Sequence, residues 1–389
     1  MSRSIPDLFN DFDSGKISRR TLVQALLAAA VIVPATSFAQ GAGGAQGRAG
    51  GDSAGRGGRG GGRGGAVPRD TVPLTLPFAA TGWNTVWLDH LNYQCVDYKK
   101  AAAFYSALMG WKVRSDDGKQ AVLDMGENSG GIIIRGGLAA SPPAAITDAG
   151  LGVARPPVQA VFDGFAWGIE PWDTNKVKAE LEKRGLNPVA DHAGSDYKSF
   201  RVKDPDGFDL AITNGTKANR RKGPATGKLP APFEPTGWNT LYVDHLSYEV
   251  PDYRRSAAFY QALLGWTGRP GGGGQITVEI GKVAGAIIRG NAAARAATAR
   301  ARGDTSAASI APPPPANGVT AAIGHISFGI ENWNTERVRA ELKKRDVVYV
   351  TRDGQREPRP DMVGTLESFH VPDAMGWDLQ IGNKIAPGP

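Results

Sequence analysis

Residues Thr81–Trp111 read TGWNTVWLDHLNYQCVDYKKAAAFYSALMGW, and residues Thr236–Trp266 read TGWNTLYVDHLSYEVPDYRRSAAFYQALLGW. Nineteen of the 31 positions are identical without a gap. A second pair follows: Gly168–Arg184 (GIEPWDTNKVKAELEKR) matches Gly329–Arg345 (GIENWNTERVRAELKKR). Each half of the chain therefore carries the same two units in the same order. Such self-similarity means an architecture assembled from repeated supersecondary units.

The units share one plan. Val86 and Leu88, then Leu91 and Tyr93, alternate as on a strand. Asp97 or Asp252 then caps an amphipathic helix that Gly110 or Gly265 ends. In the second units the helices run over about Asp173–Arg184 and Asn334–Arg345, again opened by an Asx residue, with Gly185 after the first. Three short extended runs separated by turn residues follow each helix, for example Gln275–Ile280 and Ala284–Arg289, or Leu366–Val371 and Trp377–Ile381. The order is β-α-β-β-β four times, an α+β chain.

The rest of the 389 residues separates into segments of biased composition. Fifty-two Gly and 27 Pro cluster without a collagen-like period. A single cysteine, Cys95, excludes a disulfide scaffold and a Cys-based zinc site. The net charge is +7, but residues 1–39, 40–77, 216–232 and 292–317 carry +1, +3, +5 and +2, which leaves −4 for the remainder. The basicity lies in Gly-, Ala- and Pro-rich stretches rather than on a folded face, so no nucleic-acid partner is expected. Two folded domains are expected at 78–215 and 233–385, with a Gly/Arg-rich flexible linker at 40–77, a flexible basic linker at 216–232 and a disordered insert at 292–317.

Residues 1–39 read as a signal peptide. Ser18-Arg19-Arg20-Thr21-Leu22-Val23-Gln24 resembles the twin-arginine export motif, and Ser37-Phe38-Ala39 suits cleavage before Gln40. The apolar stretch Leu22–Val33 is about a dozen residues, short of the roughly 20 that cross a bilayer. The resemblance implies the twin-arginine export machinery as a partner and a periplasmic or otherwise exported, soluble product with no stable membrane span.

The β-α-β-β-β plan, the strand-borne histidine and the D-P-D-G-x-x-L turn at Asp204–Leu210 together resemble the vicinal oxygen chelate (VOC) superfamily. It takes in glyoxalases, bleomycin- and fosfomycin-resistance proteins and extradiol dioxygenases. The resemblance covers about 78–215 and 233–384 and implies two half-barrel domains, each built from two paired units around an open cleft. It places a metal in that cleft, held from the first strand of each unit and the last strand of the second. Carried over residue by residue, the first-strand histidine occurs as His90, His245 and His325, whereas the remaining unit has Gly164. The last-strand position, two residues after what is read as the turn Asp, is Ala211 in the first half and Gln380 in the second. The N-terminal domain is therefore expected to have lost its metal site. His245, His325 and Gln380 are the candidate ligands in the C-terminal domain.

The family usually has Glu where Gln380 stands. A neutral amide oxygen lowers the charge of the donor set, so Fe, Zn, Mn, Ni and Co are all open for the one divalent metal implied, and so is a metal-free cleft. His370 lies ten residues before Gln380, where ring-cleaving members place a catalytic Tyr, and is the candidate acid–base residue. The alternative for His370 is a solvent-facing strand residue. His192 reads as loop surface. Trp83 and Trp238 read as packing anchors, Tyr105 and Tyr260 as core or interface, and Arg135 and Arg289 as surface ion pairs or anion binders. The expected function is an exported metalloenzyme acting on a small molecule chelated through vicinal oxygens, either glyoxalase-like (lyase or isomerase) or extradiol-dioxygenase-like. The alternative is a non-catalytic small-molecule binder, like bleomycin-resistance proteins, with a degenerate metal site.

Overall fold

The computed structural model describes residues 72–139, 147–148, 153–154, 157–192, 196–270, 274–301, 319–351 and 353–387. The expected signal peptide at 1–39 and most of the Gly/Arg-rich linker lie outside these residues.

The first half contributes β1 (Asn84–Cys95), α1 (Tyr98–Met109), β2 (Lys112–Asp116), β3 (Gln120–Asp124) and β4 (Gly131–Arg135). After two short strands, β5 (Thr147–Asp148) and β6 (Val153–Ala154), come β7 (Ala160–Glu170), α2 (Thr174–Lys183), β8 (Val189–Ala190), β9 (Ser199–Lys203) and β10 (Asp209–Thr213). A short helix, α3 (Lys217–Arg220), leads to the second half. That half repeats the series as β11 (Thr240–Val250), α4 (Tyr253–Leu264), β12 (Thr267–Pro270), β13 (Gln275–Ile280), β14 (Ala284–Gly290), α5 (Ala292–Ala301), β15 (Ala322–Ile330) and α6 (Thr335–Lys344). It ends with β16 (Tyr349–Thr351), β17 (Arg356–Glu357), β18 (Arg359–Val363), β19 (Leu366–Pro372) and β20 (Asp378–Gly382).

Two eight-stranded mixed sheets result, ordered β2-β3-β4-β1-β7-β10-β9-β8 and β12-β13-β14-β11-β15-β20-β19-β18. The orders correspond strand for strand, as the repeat requires, and the α+β class with two half-barrels is borne out. In each sheet the first strands of the two units pair antiparallel at the centre, β1 with β7 and β11 with β15. The helix ends follow the sequence signals. Asp97 and Asp252 accept backbone N–H groups of the first turn, and Gly110 and Gly265 end α1 and α4 in the left-handed conformation.

The halves share one apolar core, and their contacts are reciprocal. Trp111 stacks on Tyr105 with ring centroids 4.6 Å apart and donates its indole N–H to Thr240 Oγ1 at 2.8 Å. Trp266 stacks on Tyr260 at 4.4 Å and donates to Thr85 Oγ1 at 3.0 Å. The turn carboxylate of Asp373 accepts from Tyr93 and Tyr105 of the other half at 2.5 and 2.8 Å. Asp204 likewise accepts from Tyr248 and Tyr260. Trp83 and Trp238 are buried as expected of packing anchors.

Two expectations about connecting segments are corrected. Residues 216–232 are not a loose tether. Thr216 caps α3 with a capping box, Arg221 donates to the carbonyls of Gly126, Ser129 and Gly130, and Gly227 N donates to Val113 O at 2.9 Å. The positive charge that suggests a solvated segment is instead partnered: Arg221 meets those carbonyls, and Lys217, Arg220 and Lys222 pair with Glu127, Asp89 and Asp196. The insert at 292–317 is not disordered throughout, because its first ten residues form α5, opened by Asn291 Oδ1 accepting from Ala294 N at 3.0 Å. Its Ala-rich composition favours helix once such a cap is available. Residues 302–317 lie outside the described residues.

The close approach of the halves can be tested at glycine. A Cβ on Gly110 would sit 2.0 Å from the Trp238 carbonyl oxygen, whereas one on Gly118 would meet nothing within 4 Å; their φ values are +71° and +86°. Both alanine substitutions carry the left-handed penalty of about 1–2 kcal/mol. Gly110→Ala should cost about 1–3 kcal/mol more than Gly118→Ala in urea unfolding, because backbone of the other half must move. Equal losses would refute a tight joint at this point.

Candidate metal centre

The site is built by strand register. Residues paired across neighbouring strands point to the same face of a sheet, and so do residues two apart on one strand. His245 pairs with Ser327, Ser327 with Gln380, Gln380 with His370 and His370 with Arg359; Ser247 pairs with His325. His245, His325, His370 and Gln380 thus share one face. The other face carries Leu246, Tyr248, Ile326, Phe328, Phe369, Val371, Leu379 and Ile381, all buried in the core. Alternation therefore sorts polar from apolar side chains, as the sequence reading expects.

A β-bulge refines the first-strand histidine. The β11–β15 register slips between Val243 and His245, which brings consecutive Asp and His side chains together instead of on opposite faces. Asp244 Oδ2 lies 2.8 Å from His245 Nδ1, and Lys384 Nζ lies 2.8 Å from Asp244 Oδ1. Burial opposes ionisation of Asp244, but the hydrogen bonds and charges of His245 and Lys384 hold its carboxyl below the usual range. The carboxylate accepts a hydrogen bond from Nδ1–H, the tautomer that leaves the Nε2 lone pair of His245 free for the cleft.

That nitrogen lies 3.2 Å from Nε2 of His325. The separation accommodates an N–H···N hydrogen bond or a shared cation. With metal–nitrogen bonds of about 2.1 Å it corresponds to an angle of roughly 100° at the metal, between octahedral and tetrahedral values. Burial, then the neighbouring His370 and His245, then Arg289 and Arg359 push the His325 pKa well below its ordinary value. His325 is thus kept as the neutral imidazole, the form that binds metals.

Gln380 lies on the same face. Its Nε2 donates to Ser368 Oγ at 2.8 Å, and its Oε1 is buried without a hydrogen-bond partner. Ser247 Oγ and Ser327 Oγ, on the adjacent strands, are likewise buried and unpartnered. Buried polar atoms are nearly always satisfied, so three orphans around two converging imidazoles mark a place prepared for something polar. Two imidazole nitrogens and one amide oxygen on one face are donor types that suit a divalent metal.

His370 is buried, so its solvent-facing alternative is excluded. Its Nδ1 lies 3.1 Å from both oxygens of Asp378, its Nε2 lies 3.7 Å from Asp361 Oδ2, and its ring lies 4.8 Å from that of His325. Ligand atoms of His325, His370 and Asp378 all fall within 4.8 Å of one another, a second donor group that overlaps the first. Asp378 is not the turn residue the sequence reading assumed. It opens β20 and is buried, while Asp373 holds the turn by accepting from Met375 N and Trp377 N.

The first half has the same bulge with fewer donors. His90 Nδ1 lies 2.6 Å from Asp89 Oδ1, but its sheet neighbours are Ala166 and, one strand further, Ala211. Gly164 stands where His325 would be, and among the described residues no donor cluster forms in this half. His192 accepts from Ser199 N at 3.0 Å and takes no part in the second-half site. Arg135 forms the expected ion pair, with Asp163, whereas Arg289 is half-buried on the site face. The sequence reading missed Asp378, Asp361 and Arg359. Period-two spacing from Gln380 and His370 could have found Asp378, but β18 has no strand of equal length in the first half from which to infer the others.

Residues 87–212 match the family model of the Glyoxalase/Bleomycin resistance protein/Dioxygenase superfamily. No curated protein matches the chain. Among solved structures, a substrate complex of homoprotocatechuate 2,3-dioxygenase from Brevibacterium fuscum with 3,4-dihydroxyphenylacetate is 15% identical, covering 83% of this chain and 86% of that one at a TM-score of 0.51. A variant of the same enzyme is 15% identical, covering 83% and 76% at a TM-score of 0.50. The Mn(II)-bound glyoxalase of Novosphingobium aromaticivorans is 12% identical, covering 77% and 82% at a TM-score of 0.49. The paired half-barrel architecture of the dioxygenase is thus shared by this chain, and the superfamily's sequence pattern is present in residues 87–212. Among the described residues no helix is long and apolar enough to cross a membrane.

The electrostatics of His325 carry a pH dependence. Its folded pKa lies below the unfolded value of about 6.5, so the unfolded chain binds more protons once the pH falls below that value. Stability from this residue is present above about pH 6.5 and is lost as the pH falls, by up to about 1.4 kcal/mol per pH unit. Between pH 7.5 and 5.5, urea unfolding in the presence of a chelator should show a larger loss for the wild type than for His325→Gln. Parallel losses would show that His325 is not held neutral.

Proposed function

We propose that the chain is a VOC-type metalloenzyme with one divalent metal held by His245, His325 and Gln380, acting on a small molecule chelated through two neighbouring oxygens. The observation that carries the reading is the 3.2 Å approach of two imidazole nitrogens on the sheet face that also carries the unpartnered amide oxygen of Gln380. Asp244 orients His245, and the burial of His325 keeps its lone pair free. A metal held there supplies Lewis-acid polarisation of the chelated oxygens. His370, oriented through Nδ1 by Asp378, exchanges a proton with the substrate at Nε2. With Gln rather than Glu in the donor set, isomerase or lyase chemistry of the glyoxalase kind is the first reading. The active domain is 233–385, and 78–215 is its counterpart without a metal. Residues 1–39 direct the chain to the twin-arginine exporter and the periplasm.

Extradiol ring cleavage is the second reading, supported by the two-histidine, one-carboxylate composition of His325, His370 and Asp378, which suits Fe(II). The two readings part on which variant loses the metal and on oxygen uptake. In the first, elemental analysis finds about one metal per chain, and His245→Ala weakens retention at least about tenfold, while Gln380→Glu tightens it. In the second, His370→Ala removes the metal, and the Fe(II)-loaded protein consumes oxygen with catechols. Near-zero metal that His245→Ala leaves unchanged would sink both readings and favour a metal-free binder.

A further inference from the structure

Arg289 lies on β14 opposite Glu249, two residues beyond Ser247 on the site face of β11. Glu249 Oε1 lies 3.6 Å from Arg295 Nη1, and its charge also acts on Arg289. Among the described residues Arg289 makes no hydrogen bond or ion pair, and its Nε is buried without a partner. Arg359 reaches the same region from the opposite flank of the sheet. Its one ion pair among the described residues is a long 3.8 Å contact with Asp378, and its Nε is also buried and unpartnered. Four strand positions separate β14 from β18 in the sheet order, yet both guanidiniums act electrostatically on His325 and on Asp361. By register both cations stand on the site face of the sheet, Arg289 opposite Glu249 and Arg359 opposite His370.

Buried N–H groups are nearly always hydrogen-bonded, and the Nε groups of Arg289 and Arg359 are not, although carboxylates stand near both side chains. The fixed charges around the cleft are Arg289, Arg295, Arg359 and Lys384 against Asp244, Glu249, Asp361 and Asp378, and they cancel. A divalent metal with three neutral ligands would leave two positive charges uncompensated. Negative charge on a bound substrate would offset them.

We propose that Arg289 and Arg359 form an anion subsite of the metal cleft, and that the natural substrate carries a carboxylate in addition to the two oxygens that meet the metal. Planar guanidinium groups with free N–H donors suit a carboxylate. The inference rests on the metal-centre reading and adds the class of substrate to it.

The test compares two probes on the metal-loaded full chain: benzohydroxamate, which chelates through vicinal oxygens, and 4-carboxybenzohydroxamate, which adds only the carboxylate. Titration calorimetry should show the carboxylated probe binding about tenfold to a hundredfold more tightly. Arg289→Gln and Arg359→Gln should each erase most of that preference while leaving benzohydroxamate affinity and metal content in place. Equal binding of both probes by the wild type, or weakening of both probes equally in the variants, would overturn the subsite. If neither hydroxamate binds and no metal is retained, the metal centre itself fails, and benzoate titrated into the metal-free protein decides the subsite separately. Benzoate binding that Arg289→Gln abolishes supports it; no binding overturns it.

Discussion

The structure depends on two buried carboxylates that each accept two phenol hydrogen bonds from the opposite half. Asp373 takes Tyr93 and Tyr105, and Asp204 takes Tyr248 and Tyr260, while the second oxygen of each closes its own turn through two backbone N–H groups. Burial raises the pKa of Asp373 against all four donors, and burial likewise raises both phenols that face it. Such a group is tolerable only when every lone pair is met. Each of these turns can therefore form fully only when the other half is in place. The constraint links the last strands of one half to the first helix of the other and makes two repeated sequences into a single core.

That linkage explains why the polar cleft sits where it does. The inner faces of the halves, with Trp111, Trp266 and their stacked tyrosines, are consumed by packing. Only the opposite face of each sheet remains for chemistry. Both halves keep the bulged Asp-His pair, which shows that the bulge belongs to the fold rather than to a metal. The halves differ at the neighbouring strands, where one half has Ala166 and Ala211 and the other has Ser327 and Gln380. Replacing donors by alanine leaves the sheet intact because these positions contribute little to the shared core.

Much of this was readable before any coordinates. The 31-residue repeat carries the caps, the strand phase and the tryptophan anchors, all of which are local: an Asp N-cap, a left-handed glycine and a two-residue alternation are written in contiguous residues. The candidate triad came from the family resemblance, carried onto this chain by repeat register. What escaped was whatever lacked a repeated counterpart or depended on distant partners. Asp378 was mistaken for a turn residue because alternation alone does not say where β20 begins. Residues 216–232 looked like a tether because their arginines find carbonyls only on a sheet formed a hundred residues earlier.

The amino-acid sequence by itself determined the units, their order and which face of each strand would be polar, since period-two alternation and capping act over a few residues. Tertiary structure alone decided how near the polar residues come to one another. Curling of the sheet set two imidazoles 3.2 Å apart and brought Arg289 and Arg359 within electrostatic reach of the same histidine. Distances of that kind are fixed by the twist and closure of eight strands packed against a second set of eight, a property of the whole assembly that no local pattern encodes.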